Sequence, residues 1–228
     1  MKNRIIAING DAFRRVLVIG DIHGEWERLK SLWRKVRFRP AEDFLVFLGD
    51  YIDRGRGPVQ VLRWVMRCVG AGRAVALRGN HEQMMLDYYD RGDDLWMWNG
   101  GEKTEEEIAS LSSEKQEECI RFARNLPLGL MIRAKGKKYF LCHAGVDPKK
   151  PLHAQKTNAL LWIREKFFDH YAGETVVVAG HTIVPASPEG RRLPVVRKHC
   201  ILMDTGAYMP DGNLSCMDLA SGKIWQSE

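Results

Sequence analysis

The sequence contains no Cys-x-x-Cys pair, and its five cysteines, Cys68, Cys119, Cys142, Cys200 and Cys216, are scattered and odd in number. This argues against a thiolate zinc cluster or a disulfide-stapled scaffold and points to reduced thiols in a reducing compartment. No window approaches the roughly eighteen consecutive apolar residues of a membrane span. The amino-terminal stretch MKNRIIAINGDAFRRV has a short apolar run but no small-residue cleavage pattern. The reading is therefore no signal peptide, no membrane partner and a cytoplasmic location. Repeats and low-complexity tracts are absent. The net charge of +6 and pI of about 9.1 suit anionic ligands. The basic residues are dispersed, however, and no basic-aromatic stripe runs among them, so no specific nucleic-acid partner is expected. The one local run, EGRRLPVVRKH from Glu189 to His199, reads as a solvated loop and edge strand.

What is present is a 228-residue chain, 45% hydrophobic, enough for one large domain, over 1–228, or two small ones, and for a well-covered core. Val16 to Ile19 reads as a buried strand. Trp26, Leu29, Leu32, Trp33 and Val36 then recur at helical spacing. DFLVFLGD is a second strand, and Val59, Leu62, Val65, Met66 and Val69 mark a second helix face. RAVALRGN is a third strand, running into a helix at HEQMMLDYY. This alternation predicts βαβ units with a mainly parallel sheet and loops gathered at the carboxyl ends of the strands. Residues 92–126 change texture. They are polar, acid-rich and helical by propensity, forming either a small helical cap or a poorly ordered excursion, with Trp96 and Trp98 as expected anchors. A hairpin turning at Lys135-Gly136 follows, then a strand at TVVVAGHT, and finally strands joined by glycine-containing turns.

The stretch FLGDYIDRG, Phe47 to Gly55, poses the central problem, because an apolar strand runs straight into Asp50, Asp53 and Arg54. Charges beside a core need partners. The other strand ends carry similar groups, Asp21 and His23, Asn80 and His81, His143, and His181, usually next to glycine. Glycine lets the backbone approach a small buried site closely. Carboxylate, amide and imidazole donors suit manganese, iron or zinc. The six donors Asp21, His23, Asp50, Asn80, His143 and His181 are too many for one catalytic ion with open positions. They suit two ions about 3.5–4 Å apart with a carboxylate between them, the arrangement used for phosphoryl hydrolysis. None of the cysteines heads a Cys-x5-Arg loop, which argues against thiol-dependent phosphatase chemistry.

In this order GDIHG, GDYIDRG, GNHE, HAG and GHT resemble the signature of the phosphoprotein phosphatase family of calcineurin-like metallophosphoesterases. RGNHEQMM, the NGG at Asn99 to Gly101, LPL, LWIRE at Leu161 to Glu165 and DTGA at Asp204 to Ala207 extend the likeness to the bacteriophage lambda protein phosphatase type and its bacterial relatives. The resemblance spans about Val16 to Leu219. It implies an α/β (α+β) fold, a four-layer sandwich of two mixed sheets flanked by helices, with 92–126 as a helical cap insertion. It implies that Asp21 and His23 bind a first metal, that Asp50 bridges, and that Asn80, His143 and His181 bind a second. The two ions would be manganese, with iron or zinc as alternatives. His81, oriented by Asp53, would be the general acid, and Arg54 and Arg164 would clamp the phosphate. Glu82 would be structural.

The implied reaction is hydrolysis of phosphoserine and phosphothreonine proteins or peptides, extending to phosphotyrosine, by attack of a dimetal-bound hydroxide. The main rival is a symmetrical dinucleoside polyphosphate hydrolase acting on nucleotide phosphates. Such enzymes typically lack the acid equivalent to Asp53 and carry Asp where this chain has Glu82. Nucleic-acid phosphodiester cleavage and a non-catalytic binding module are weaker readings, the latter because all six ligand positions are intact.

Overall fold

Apolar runs with no polar alternation decide the architecture, because such strands must be covered on both faces. In the computed structural model, which describes residues 4–164 and 166–228, two such sheets lie against each other. Met1–Asn3 and Glu165, the last residue of the LWIRE stretch, lie outside the described residues. The first sheet contains β1 (Ile5–Asn9), β5 (Gly129–Ala134), β6 (Lys137–Cys142), β7 (Val176–Ala179), β8 (Val195–Val196) and β9 (Cys200–Leu202), in the order β1-β5-β6-β7-β9-β8. The second contains β2 (Arg15–Ile19), β3 (Asp43–Phe47), β4 (Ala74–Ala76), β10 (Ser215–Asp218) and β11 (Ile224–Gln226), in the order β11-β10-β2-β3-β4.

The period-two pleat sorts each strand's residues between layers. Val16, Val18, Phe44 and Val46 face Leu130, Ile132, Leu141 and Val178 between the sheets. Leu17, Ile19, Leu45 and Phe47 point the other way, onto α1 (Trp26–Val36), α2 (Pro58–Gly70) and α3 (Asn80–Arg91). Phe140, Val177 and Ala179 on the outer face of the first sheet pack on α7 (Thr157–Trp162) and Phe167 of α8 (Lys166–His170). Helices, sheet, sheet, helices is the four-layer sandwich that the resemblance implies. The alternating βαβ pattern anticipates only the parallel run β2-β3-β4. The antiparallel pairs β5-β6, β10-β2 and β10-β11 make both sheets mixed. The short apolar run near the amino terminus is strand β1, parallel to β5. Val195–Val196, in the basic run, is the edge strand expected there.

Between α3 and β5 lie α4 (Leu95–Trp98), α5 (Glu102–Ala109) and α6 (Ser113–Asn125), packed on α2 and α3. Trp96 is fully buried, but Trp98 is 83% exposed and anchors nothing. All five cysteines are free thiols. Among the described residues no helix is long and apolar enough to cross a membrane.

Strand β3, which leads to Asp50, is pinned at its start. The buried Asp43 carboxylate accepts from Arg15 Nε at 2.9 Å, Arg15 Nη2 at 2.5 Å and the Arg39 amide at 2.8 Å. Burial raises this carboxyl, but the Arg15 hydrogen bonds outweigh it and hold it below the usual range. Asp43→Asn is expected to cost about 3 kcal/mol at neutral pH by leaving Arg15 uncompensated. The depressed folded pKa means that the wild-type advantage is complete above about pH 4 and shrinks as pH falls below it. Urea titrations of both proteins from pH 6 to pH 3 check this; a constant difference would contradict it.

Candidate metal centre

The carboxyl ends of β2, β3, β4, β6 and β7 meet at one edge of the sandwich, so the residues following them share one place. Backbone amides of Ile22 and His23 both donate to the Asp50 carbonyl, at 3.0 and 2.9 Å, tying the first loop to the second. His23, Asp50, Asp53, Arg54 and His181 all have positive φ, between 47° and 70°. Left-handed backbone at non-glycine residues costs about 1–3 kcal/mol each and persists where the surroundings enforce it. Two glycines are needed for close approach. A Cβ on Gly79 would lie 2.1 Å from Asp50 Oδ1, and one on Gly180 would collide with Asp21 Oδ1.

Asp50 is the hub. Its Oδ1 accepts from the His81 amide in the first turn of α3 at 3.1 Å, where the helix end favours an anion. Its Oδ2 lies 3.4 Å from His143 Nε2, 3.5 Å from His23 Nε2 and 4.0 Å from His81 Nε2. Burial raises the Asp50 carboxyl, yet the imidazoles, His143 foremost, hold it well below its ordinary value. The Asp50 backbone is clamped by Glu82, whose carboxylate accepts from the amides of Asp50, Tyr51 and Gly79 at 2.9, 2.8 and 2.9 Å. Burial, then the Asp50 charge, pushes Glu82 up to about 7.

The donor set fits divalent ions. His23 Nδ1 faces the Ile52 carbonyl at 3.2 Å and His143 Nδ1 the Leu48 carbonyl at 3.1 Å, so each ring turns its Nε2 lone pair inward. Asn80 Oδ1 sits 2.7 Å from His143 Nε2 and 2.9 Å from His181 Nδ1. These are mainly lone-pair atoms converging on one another, an arrangement that calls for a cation among them. Asp21 gives one oxygen to the His181 amide at 2.9 Å, while its buried Oδ1 has no hydrogen-bond partner. Two ligand triangles share Asp50: His23–Asp50–His81 and Asp50–His143–His181, each with its donor atoms within 4.8 Å of one another.

His81 completes the first triangle geometrically, but its chemistry differs from that of the other three imidazoles. Burial lowers His23, His143 and His181, the last to about 3, which favours the form with a ring lone pair free for a cation. Burial pulls His81 down too, but the Asp50 charge and the Asp53 hydrogen bond outweigh it and His81 is raised. Its Nδ1 donates to Asp53 Oδ2 at 2.6 Å, which points Nε2 into the cavity.

Arg54 and Arg164 also reach this cavity of about 340 Å³, together with Asn99, Trp162, Thr182 and Tyr208. Arg164 is exposed between α7 and α8, and no carboxylate of the described residues pairs with it. Arg54 Nη1 lies 3.0 Å from His23 Nε2, and its guanidinium stacks 4.4 Å from the Tyr208 ring.

Sequence reasoning passed over several members of the site. Tyr208 follows DTGA and flattens Arg54 against its ring. Asp204, quoted within DTGA without a role, is buried beside Asp21; burial pushes its carboxyl up to about 6, with the Asp50 charge adding to the rise. Most consequential are Trp96 and Thr104 of the 92–126 segment. Trp96 Nε1 donates to Asp53 Oδ2 at 2.9 Å, and Thr104 Oγ1 donates to Asp53 Oδ1 at 2.6 Å while accepting from the Asp53 amide at 3.0 Å. The NGG stretch carried a signal for this: a Cβ on Gly101 would run into the Trp96 indole at 2.7 Å.

The family profile described as calcineurin-like phosphoesterase matches residues 14–207. The chain is 33% identical over 209 residues to a protein of Salmonella typhimurium named serine/threonine-protein phosphatase 1, covering 88% of this chain and 90% of that one. It is 33% identical over 133 residues to the symmetrical bis(5'-nucleosyl)-tetraphosphatase of Erwinia tasmaniensis, covering 58% of this chain and 44% of the other. A crystal structure of a candidate diadenosine tetraphosphatase superposes with a TM-score of 0.76 at 22% identity, covering 98% and 97% of the two chains.

Metal binding to the folded state must stabilise it. Manganese at a hundredfold excess over its Kd is expected to stabilise chelator-stripped protein by about 2.7 kcal/mol, and Asp50→Asn to lose most of that gain. Thermal melts with and without metal measure both; an unchanged shift in Asp50→Asn would remove Asp50 from the centre.

Proposed function

The chain belongs to the calcineurin-like phosphoesterase family, and on that premise we propose that it is a metal-dependent phosphomonoesterase of the serine/threonine protein phosphatase type. It hydrolyses phosphoserine and phosphothreonine in proteins or peptides, with phosphotyrosine as a further substrate. Asp21, His23 and Asp50 would hold one divalent ion, and Asp50, Asn80, His143 and His181 would hold the other. Manganese is the preferred ion, and iron and zinc suit the same oxygen and imidazole donors. Bound there, the ions supply Lewis acidity that lowers the pKa of water and offsets the charge of the phosphate.

The chain's own groups do the rest. Arg54, held flat by Tyr208, and Arg164 offer planar donor forks to the phosphate oxygens. His81 carries a proton on Nε2 and delivers it to the departing oxygen. Asp53 keeps that imidazole charged and aimed, and Thr104 and Trp96 keep Asp53 in place. Residues 92–126 are thus an insertion in one domain spanning 1–228 that both shapes the mouth of the site and supports its acid. The observation that carries this reading is geometric: His23, His143 and His181 converge on Asp50, while His81 is tied through Nδ1 to Asp53 and faces the cavity. Five free thiols support a reducing, cytoplasmic setting.

Likeness to a tetraphosphatase over 133 residues favours a second reading, cleavage of dinucleoside polyphosphates. The two residues that count against it are both engaged here, Asp53 on His81 and Glu82 under Asp50. Manganese-reconstituted protein is expected to release phosphate from a phosphothreonine peptide faster than it cleaves diadenosine tetraphosphate; the reverse order would make the second reading the correct one. His81→Ala is expected to lose about 10²–10⁴-fold in turnover on alkyl phosphates and much less on p-nitrophenyl phosphate, whose leaving group needs no proton. Thr104→Ala should show the same leaving-group dependence in milder form. Equal losses on both substrates would refute the acid assignment.

A further inference from the structure

The basic residues that look dispersed along the sequence are gathered by the fold. Arg14 and Arg15 open β2, and Arg34 and Lys35 lie in the last turn of α1. Arg37 caps that helix in a left-handed conformation, Arg39 lies in the following loop, and Lys223 precedes β11. Together with Trp225 these residues line a groove of about 660 Å³, larger than the cavity at the metal centre. Because β2 and β3 run in parallel toward the metal centre, their starting ends place this groove at the opposite edge of the sandwich. The distance along β2 and its loop from Arg15 to Asp21 alone is about 20 Å at roughly 3.3 Å per residue.

The local carboxylates do not balance this charge. Glu42 serves both Arg14 and Arg39, at 3.2 and 3.4 Å, Asp43 is committed to Arg15, and Glu228 lies 3.3 Å from Lys35. Arg34, Arg37 and Lys223 are exposed, and none of them has a carboxylate partner among the described residues. Like charges held together on a rigid rim create a positive field that attracts a polyanion.

We propose that this groove docks an acidic polypeptide segment, and that the segment belongs to the phosphoprotein whose phosphate enters the metal centre. The second half of this rests on the phosphatase reading above. A nucleic acid fits less well. Among the described residues Trp225 is the single aromatic ring lining the groove, with Arg15 at 5.6 Å and Lys223 at 5.1 Å from its centroid, whereas binding of single strands draws on a series of rings on which successive bases stack. Glutamate and aspartate side chains need only the cationic rim. On the order of ten residues of extended chain would link the two sites around the sandwich, so the groove selects substrates by sequence remote from the phosphorylated residue.

The test compares the parent protein with Arg34→Glu/Arg37→Glu, whose positions touch nothing at the metal centre. A fluorescent, unphosphorylated Glu-rich peptide is titrated by anisotropy, and turnover is followed on p-nitrophenyl phosphate and on a phosphothreonine peptide with and without an acidic extension. The double variant is expected to bind the Glu-rich peptide at least about tenfold more weakly. It should raise KM several-fold only for the extended phosphopeptide, and leave kcat and p-nitrophenyl phosphate turnover unchanged, which also certifies the fold. Equal peptide affinity in both proteins overturns the proposal. So does tighter binding of a single-stranded RNA than of the Glu-rich peptide to the parent, lost in the variant. Loss of peptide binding in the variant, in a protein that turns over no phosphopeptide, would uphold the acidic-peptide groove and remove the phosphoprotein reading instead.

Discussion

A buried carboxylate ringed by imidazoles is the constraint on which the rest of this structure depends. Asp50 sits at the end of a strand covered on both faces, where an isolated charge would be prohibitively costly. Its cost is met from several directions at once. The amide in the first turn of α3 binds one oxygen, Glu82 fixes the backbone, and the other oxygen looks at His23, His81 and His143. Moving any of these strands would move the whole ring. The two sheets and their helices therefore act as a frame whose five strand ends are held in register by one residue.

Strain follows from the same demand. Left-handed backbone at His23, Asp50, Asp53, Arg54 and His181 turns each side chain back toward the common centre. A relaxed loop would let these side chains point to solvent. The sandwich core, filled from both sides of each sheet, supplies the stability that tolerates this. The same arrangement explains why the 92–126 segment belongs to the site as well as to its rim. Trp96 reaches from buried packing among Tyr88 and Tyr89 to the carboxylate of Asp53, so the packing of the insertion and the aim of His81 are mechanically linked.

Much of this was legible in the sequence because the signals were local. Apolar runs ending in Asp, His or Asn beside glycine marked the strand ends, and the spacing of Leu29, Leu32 and Val36 marked a buried helix face. What was missed was non-local. Nothing near Thr104 announces that its hydroxyl will meet Asp53, 51 residues earlier. Trp96 and Trp98 look alike as anchors, yet only Trp96 is buried, since residues two apart on a helix point about 200° away from each other. Strand β1 was obscure because a short apolar run acquires meaning only through its partner β5. The basic groove was invisible for the same reason: its cations come from three separate stretches joined by the sheet.

The metal roles proposed above turn on Asp50 being shared by two ions. Anomalous diffraction from manganese-soaked crystals tests it most directly. Two peaks about 3.5–4 Å apart are expected, flanking the Asp50 carboxylate, one toward Asp21 and His23 and the other toward Asn80, His143 and His181. A single peak, or two peaks that Asp50 does not separate, would contradict it.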